Sequence, residues 1–498
     1  MAFWNRSVRR AGRALLPLAL GGCLLGPDAP PEVAALPGDY VEKPAESPGA
    51  VPVPPEASAD GAFWRDLGDP LLVQCVERAL SDSPDVARAT AKIRESRALS
   101  GAAWAALFPE LQGGASAERI RLSTESPFLS QAGISRIPGF SPEANDWKGS
   151  LSMAYELDVW GRNRRAAQSA FCELEGDVEK RRSVGLTLAG EVSSAYIDYR
   201  TLEGRRSVAA QLLEGLKSLR TIARDRAQGG LASDLDVARA DTEIANAEAS
   251  VIDLGRLLTL TEHRLSVLTG SPPGTLRKTL EGSKGSLRSF DLPPGLPSQL
   301  LSRRPDLREL SDRLRAATAR VGQAKADLLP RIVLSGEIGS ESVDFSKLTS
   351  RGAIYWTAGP SLQIPLFDWG RRRDTWTAAE ERADQSLQEL ESQVLTALLE
   401  VEDGLANVRE DKRRRSALQG AADAARRASR IAFDKYGVGL VSQLDVIDAE
   451  RIRLQAEDAL LEGEARVLHD AVGLAKALGG GFRAAERAMP PLPAPEKE

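Results

Sequence analysis

The chain has very little of what enzymes and disulfide-stapled domains are made from. Its 498 residues include three cysteines, two histidines and three methionines, and only 5% are aromatic. Three cysteines exclude a disulfide framework, and the spacing of Cys75 and Cys172 matches no zinc or redox motif. Those two read as small apolar helix residues. His263 and His469 lie deep in helix-forming stretches with no nucleophile or metal-ligand spacing beside them. No catalytic site, metal or cofactor is therefore expected. A phosphate-cradling Walker loop is missing, as is a G-x-G-x-x-G run after a strand, so any energy must come from partners. With 65 basic against 70 acidic residues the net charge is −5, which lacks the basic excess of a nucleic-acid binder. Scarce aromatics argue against a thick globular core and suit long, thin helical packing.

Proline is present but unevenly placed. Of 29 prolines, none falls between Pro142 and Pro272 or between Pro365 and Pro490. An interior proline costs a helix about 3 kcal/mol, so the gaps mark where unbroken helix is needed. Ala, Leu, Arg, Glu and Gln, the strongest helix formers, fill them. Each gap is interrupted once, at Gly229-Gly230 and at Gly437-Val438-Gly439. Ser233-x-x-Asp236 and Ser442-x-x-Asp445 then read as capping boxes that open the next helix. Two helical hairpins result. The first limb, about 162–228, would span about 100 Å at 1.5 Å per residue. Its apolar positions Leu186, Ala189, Val192, Ala195, Tyr196 and Tyr199 recur every three or four residues, a narrow stripe that predicts coiled-coil-like seams.

The chain also states its pattern twice. Ser83-Pro84-Asp85-Val86 returns as Arg304-Pro305-Asp306-Leu307, and Phe108-Pro109 as Leu329-Pro330, both 221 residues on. Asp158-Val159-Trp160-Gly161-Arg162 returns as Phe367-Asp368-Trp369-Gly370-Arg371, and 230–237 as 439–446, both 209 residues on. The first copy carries 12 extra residues between Pro109 and Gly161. Such copies are too long for a solenoid unit and indicate duplication of a structural half.

Between the helices lie alternating segments. From Trp147 to Leu157 every odd position is apolar or glycine. Ile332, Leu334, Gly336 and Ile338 alternate with Arg331, Val333, Ser335 and Glu337. Trp356, Ala358, Pro360, Leu362, Ile364 and Leu366 alternate with Tyr355, Thr357, Gly359, Ser361 and Gln363. Leu111 to Leu122 makes a poorer fourth. Near ten residues each and with period two, these fit transmembrane β-strands. Four strands cannot close a barrel, and lipid does not tolerate an open edge. If they cross a membrane, several chains must share one barrel.

The N-terminus reads as a targeting segment. Arg6, Arg9, Arg10 and Arg13 precede the apolar run Ala14 to Leu20, and Leu20-Gly21-Gly22-Cys23 resembles a bacterial lipobox. Cys23 is then the lipidated mature N-terminus; the alternative is a plain secretory signal with an unrelated cysteine. Leu24 stands where an aspartate would retain a lipoprotein in the inner membrane. The outer membrane is the expected destination. Pro30-Pro31 and Pro52-Val53-Pro54-Pro55 mark an extended tether.

Several motifs together carry a resemblance. They are Phe63-Trp64 with Asp69-Pro70-Leu71-Leu72, and Leu296-Pro297-Ser298 leading to Leu301 and Arg303-Arg304-Pro305-Asp306. Leu329-Pro330, Phe367-Asp368-Trp369-Gly370-Arg371, and Tyr436-x-x-Gly439 leading to Leu444-Asp445-Val446 complete them. Over about residues 60–480 the chain resembles the outer membrane factor family, the TolC-like proteins, and its lipoprotein branch in drug-efflux pumps. The resemblance implies a mixed α and β membrane protein. It would be a homotrimer whose 12-strand outer-membrane β-barrel continues into a 12-helix periplasmic α-barrel. Domains would run as signal peptide 1–22, lipid anchor and tether 23–60, first repeat 61–270, equatorial linker 271–296, second repeat 297–480 and tail 481–498. Function would be that of a passive exit duct for small molecules, partnered by a periplasmic adaptor (membrane fusion protein), an inner-membrane pump of RND type and outer-membrane lipid. Export of a secreted protein by a type I system stays open, as does a periplasmic coiled-coil scaffold without a pore.

Site expectations follow. Trp160, Arg162, Trp369 and Arg371, where strand becomes helix, suit the inner edge of the lipid layer. The resemblance places the second helical turn at the periplasmic mouth, making Asp445 and Asp448 gate candidates. Asp236 is the first-copy counterpart, and Tyr436 and Arg451 are candidate members of the closing network. Asp445 also has the plain role of a capping acid, and Arg239 stands where the second copy has Asp448.

Overall fold

A computed structural model describes residues 24–32, 36–42, 62–123, 141–230, 233–283, 285–290 and 294–480. The expected signal peptide, Cys23, much of the tether and the tail at 481–498 lie outside the described residues.

Element for element, the chain repeats itself. Helix α1 (Pro70–Asp82) precedes α2 (Pro84–Ala105), strands β1 (Glu110–Arg121) and β2 (Glu143–Leu157), then α3 (Arg162–Gln228) and α4 (Asp234–Leu268). After short turns of helix come α5 (Pro305–Ala326), β3 (Arg331–Ser342), β4 (Ile354–Gln363), α6 (Arg371–Gly437) and α7 (Gln443–Ala477). Both α3 and α6 have 67 residues, and both α4 and α7 have 35. Proline opens α1, α2 and α5, where its missing N–H is harmless. The long helices end on left-handed glycines, Gly230 at φ 70° and Gly439 at φ 82°. Both capping boxes then form, Ser233 with Asp236 and Ser442 with Asp445. Among the described residues no helix is long and apolar enough to cross a membrane.

The chain divides into two compact units. One takes the described residues within Met1–Glu32, Arg94–Glu175 and Asp312–Gln388. It holds a four-stranded antiparallel sheet in the order β1-β2-β3-β4. Register sorts side chains cleanly by face. Leu111 pairs with Met153, Leu151 with Ile338, Ile332 with Leu362, and Ile338 with Trp356. One face is therefore apolar throughout its middle, and it is uncovered: Trp356 is 73% exposed and Leu362 60%. The opposite face carries Glu110, Gln112, Ser150, Ser152 and Ser335, and there Lys148 pairs with Glu337 at 3.0 Å. β4 stops at Gln363, short of the expected Leu366. β3 begins at Arg331, opposite Gln363, so Ile364 to Leu366 have no neighbouring strand among the described residues. In the same unit the N-terminal segment is strapped to α3. Buried Arg165 donates to Leu25 O at 3.0 Å and pairs with Asp28, while Gly26, at φ 93°, lies too close to the Gly322 backbone for a Cβ, and a Cβ on Gly322 would meet Leu25 O.

The second unit takes Val33–Ile93, Gly176–Ser311 and Glu389–Glu498 where described. Here the expectation of narrow seams needs correction. Leu186, Ala189, Val192, Ala195, Tyr196 and Tyr199 are all buried, but in a broad cluster with Phe63, Trp64, Leu72, Leu265, Leu280 and Val472. The short elements concentrate scarce aromatics there and build a local globular core around the long helix. Further along α3 the packing thins to seams: Leu212 and Leu216 against Ile244 and Ala247, then Leu219 with Tyr436 and Val446. Val41 and Glu42 lie on α6, their N–H groups donating to the Glu402 carboxylate at 2.7 and 2.8 Å.

Candidate functional site

The turns between the long helices gather the gate candidates. Ser442 donates its backbone N–H to Asp445 Oδ2 at 2.8 Å, and its hydroxyl to the same oxygen at 2.7 Å. Those bonds hold the Asp445 carboxyl below its ordinary range. Asp445 is thus engaged as a cap. Asp448, one turn on, pairs with Arg451 at 2.7 Å, and both side chains are more than half exposed. Asp236 caps α4 and has Arg239 at 3.9 Å. Tyr436 is buried at the end of α6 against Leu219 and Val446, the residue after Asp445. Its partner is Arg226, whose guanidinium lies 4.9 Å from the ring centre and donates to Tyr436 O at 3.1 Å. The two hairpin tips are tied by Gln443, whose amide donates to Asp236 O at 3.0 Å. Sequence reading missed Arg226 and Gln443. Nothing local marks either, because each acts only through the other repeat.

At the first strand-to-helix junction, Gly161 turns at φ 79° and the Trp160 indole N–H donates to Pro330 O at 2.8 Å. Arg162 is held by Asp327 at 2.7 Å, with Glu156 at 3.8 Å. The second junction repeats the glycine turn, Gly370 at φ 87°, but Trp369 is 89% exposed and Arg371 lies 4.0 Å from Asp368. Equivalent residues therefore have unequal surroundings.

Other motif residues lock the helical unit. Asp69 caps α1 through Leu71 N at 2.9 Å and accepts the Tyr196 hydroxyl at 2.5 Å. Arg200 donates to that hydroxyl at 2.8 Å and to Ser283 O at 2.7 Å. Burial, with Asp69 accepting its proton, pushes the Tyr196 hydroxyl well above its ordinary pKa. Arg304, 5% exposed, pairs with Asp306 at 2.8 Å and Glu400 at 2.6 Å and donates to Ala477 O at 3.0 Å. These are fasteners between distant segments. His469 likewise lies 3.0 Å from Asp198, and Cys75 and Cys172 are buried and form no disulfide.

A one-sided apolar sheet joined to very long helices narrows the possibilities, and comparison with known proteins decides between them. Residues 75–271 and 296–480 match the family described as outer membrane efflux protein. The chain belongs to that family. A toluene efflux pump outer membrane protein of Pseudomonas putida, TtgI, is 32% identical over 471 residues, 93% of this chain and 97% of that protein. The pyoverdine export outer membrane protein OpmQ of Pseudomonas putida is 30% identical, covering 94% and 97%. The outer-membrane channel OprN superposes with a TM-score of 0.80 at 32% identity, over 92% of this chain and 99% of that one. The efflux protein thus has the TolC-like fold, resides in the outer membrane and serves as an exit duct, as members of this channel family do. The reading as a scaffold without a pore is set aside.

Proposed function

We propose that this efflux protein works as a homotrimer, passing small molecules passively from an inner-membrane pump of RND type and a periplasmic adaptor to the outside. The observation that carries the reading is the sheet. It has four strands, one apolar face and two open edges, β1 and β4, among the described residues. Lipid accepts the apolar face but not the edges. Three chains supply 12 strands and close the ring, and the polar face then lines a wet lumen. The paired long helices of three chains supply a 12-helix tunnel in the same way.

Gating belongs to the hairpin tips. Threefold symmetry repeats Asp445 and Asp448 as rings of like charge, which favour cations at the mouth. Asp448 carries more of this role, because Asp445 is committed to its cap while the direct Asp448–Arg451 pair is more than half exposed and weakened by solvent. Tyr436, clamped by Arg226, holds the tip shape that sets the opening. Trp160, Arg162, Trp369 and Arg371 sit at the inner lipid boundary, and Cys23 carries the lipid. Mass spectrometry of the mature protein should find an acylated Cys23 at its N-terminus. Native mass spectrometry in detergent, followed by conductance in planar bilayers, tests the duct itself. Trimers that form discrete channels are expected; a stable folded monomer, or correctly folded trimers that never conduct, would overturn it.

A further inference from the structure

The duplication lets each open strand edge name its own partner. In the first repeat, the Trp160 indole N–H donates to Pro330 O at 2.8 Å, so the residue just after β2 is bonded to the one just before β3. Trp160 corresponds to Trp369 at the offset of 209, and Pro330 to Pro109 at the offset of 221. The offsets hold within the strands too: β1 and β3 coincide end to end, and Trp147 corresponds to Trp356. Yet Trp369 follows β4 and Pro109 precedes β1, at opposite edges of the sheet. Three strand spacings, about 14 Å, separate those edges within one chain. Trp369 is accordingly 89% exposed, and among the described residues its recorded contact is the Phe367 ring, 4.9 Å away. The glycine turn recurs, at φ 87° against 79° in the first copy, while Trp369 itself takes a left-handed φ of 57° that Trp160 does not share. Among the described residues the indole has no acceptor in its own chain, and pairing of β4 would draw Trp369 into the backbone conformation of Trp160.

We propose that β4 pairs antiparallel with β1 of a second copy of this chain in the register of the β2–β3 ladder, and that Trp369 donates its indole N–H to the carbonyl of the partner's Pro109. The proposal rests on the trimeric duct reading and specifies its seam. Carried through the offsets, the pair Leu157 with Ile332 becomes Leu366 with the partner's Leu111. Ser152 with Glu337 becomes Ser361 with the partner's Ser116, and Leu151 with Ile338 becomes Pro360 with the partner's Ala117.

Two features of the chain agree with it. First, the transposed ladder sets even positions of β4 against odd positions of β1. Within the chain those are the positions on the apolar face, Trp356 and Leu362 on β4 and Leu111, Ala115 and Ala117 on β1. A slip of one residue would set apolar against polar side chains at every pair. Second, the ladder gives Ile364 to Leu366 a neighbour. β4 then continues to Leu366, as β2 continues to Leu157. The seam also differs from its template at one point. Asp327, which holds Arg162, has Ala106 as its counterpart, so Arg371 gains no equivalent acid there and the tryptophan bond is the junction contact carried over.

The test is cross-linking in the full-length lipoprotein. Ser361→Cys with Ser116→Cys places two thiols directly opposite across the seam, at about 5 Å between Cβ atoms, within disulfide reach. Within one chain they are on strands too far apart to bond. Oxidation should give covalent dimers and trimers on a denaturing gel for the double variant and monomers for each single one. Thr357→Cys with Ser116→Cys is four residues out of register, about 13 Å, and should not cross-link. Trp369→Phe keeps the ring and removes the donor, so its trimers should come apart at a lower temperature than wild type. Trimers by native mass spectrometry that cross-link only through the Thr357 pair, or through neither pair, would overturn the seam and leave the duct standing. Absence of any trimer would overturn the duct reading and the seam with it. Unchanged dissociation of the Trp369→Phe trimer would remove the indole bond from the proposal.

Discussion

Asp470 gives this protein a stability that depends on mildly acid pH. It sits on α7, hydrogen-bonded to Asp411 of α6, with its Oδ2 buried and without a partner. Burial, then the Asp411 carboxyl, push its pKa up from 3.8 to about 6, against the pull of His469 and Arg466. His469 is itself held 3.0 Å from Asp198 of α3. Between the two values the folded chain keeps a proton that the unfolded chain has released. Stability from this group is therefore complete below about pH 4 and is lost as pH rises through about 6. Two units correspond to about 3 kcal/mol at most; water at the half-buried site and sharing with Asp411 reduce this to about 1–2 kcal/mol. Asp470→Asn keeps a donor for Asp411 and cannot ionise. Apparent melting temperatures in detergent, followed by circular dichroism from pH 4 to pH 8, should coincide for wild type and variant at the acid end. They should separate by about 1–3 °C in the variant's favour above pH 7. Curves that run parallel across the range would show that the carboxyl pair does not share a proton, and the reasoning would fail.

Other perturbations read other parts of the molecule. Asp445→Asn with Asp448→Asn should lower cation selectivity and weaken block by multivalent cations in planar bilayers; unchanged values would leave both as structural residues and move the constriction elsewhere. Gly285→Ala should destabilise the helical unit by about 1–3 kcal/mol, because its new Cβ would overlap the buried Asp69 carboxylate. Gly255→Ala, with open space around it inside α4, should be neutral or stabilising by up to about 1 kcal/mol, and thermal melts of the two compare them directly. Trp160→Phe should cost about 1 kcal/mol through the lost bond to Pro330 O, detected as a lower melting temperature with unchanged helix content.

By itself the sequence determined the doubling, the helix limits and the sidedness of the strands. These are local properties. A proline-free run of helix formers closed by glycine and reopened by Ser-x-x-Asp specifies where α3 ends and α4 begins, without reference to anything distant. Period-two alternation likewise gives each strand its apolar face before its neighbour is known. Tertiary structure decided who meets whom. The stripe on α3 could not announce whether it faced one helix or a cluster, and Phe63, Trp64 and Leu280 made it a cluster. Tyr436 read only as a candidate member of the closing network, and it took packing to bury it and give it Arg226, 210 residues away. Trp160 and Trp369 are the same letter in the same motif, yet one indole is hydrogen-bonded and the other largely exposed. The first follows a strand with a neighbour on both sides and the second an edge strand among the described residues. Spacing within one element is set by backbone geometry and can be read directly. Contacts between elements depend on chain entropy, packing and symmetry acting together, and a linear string carries no coordinate for them.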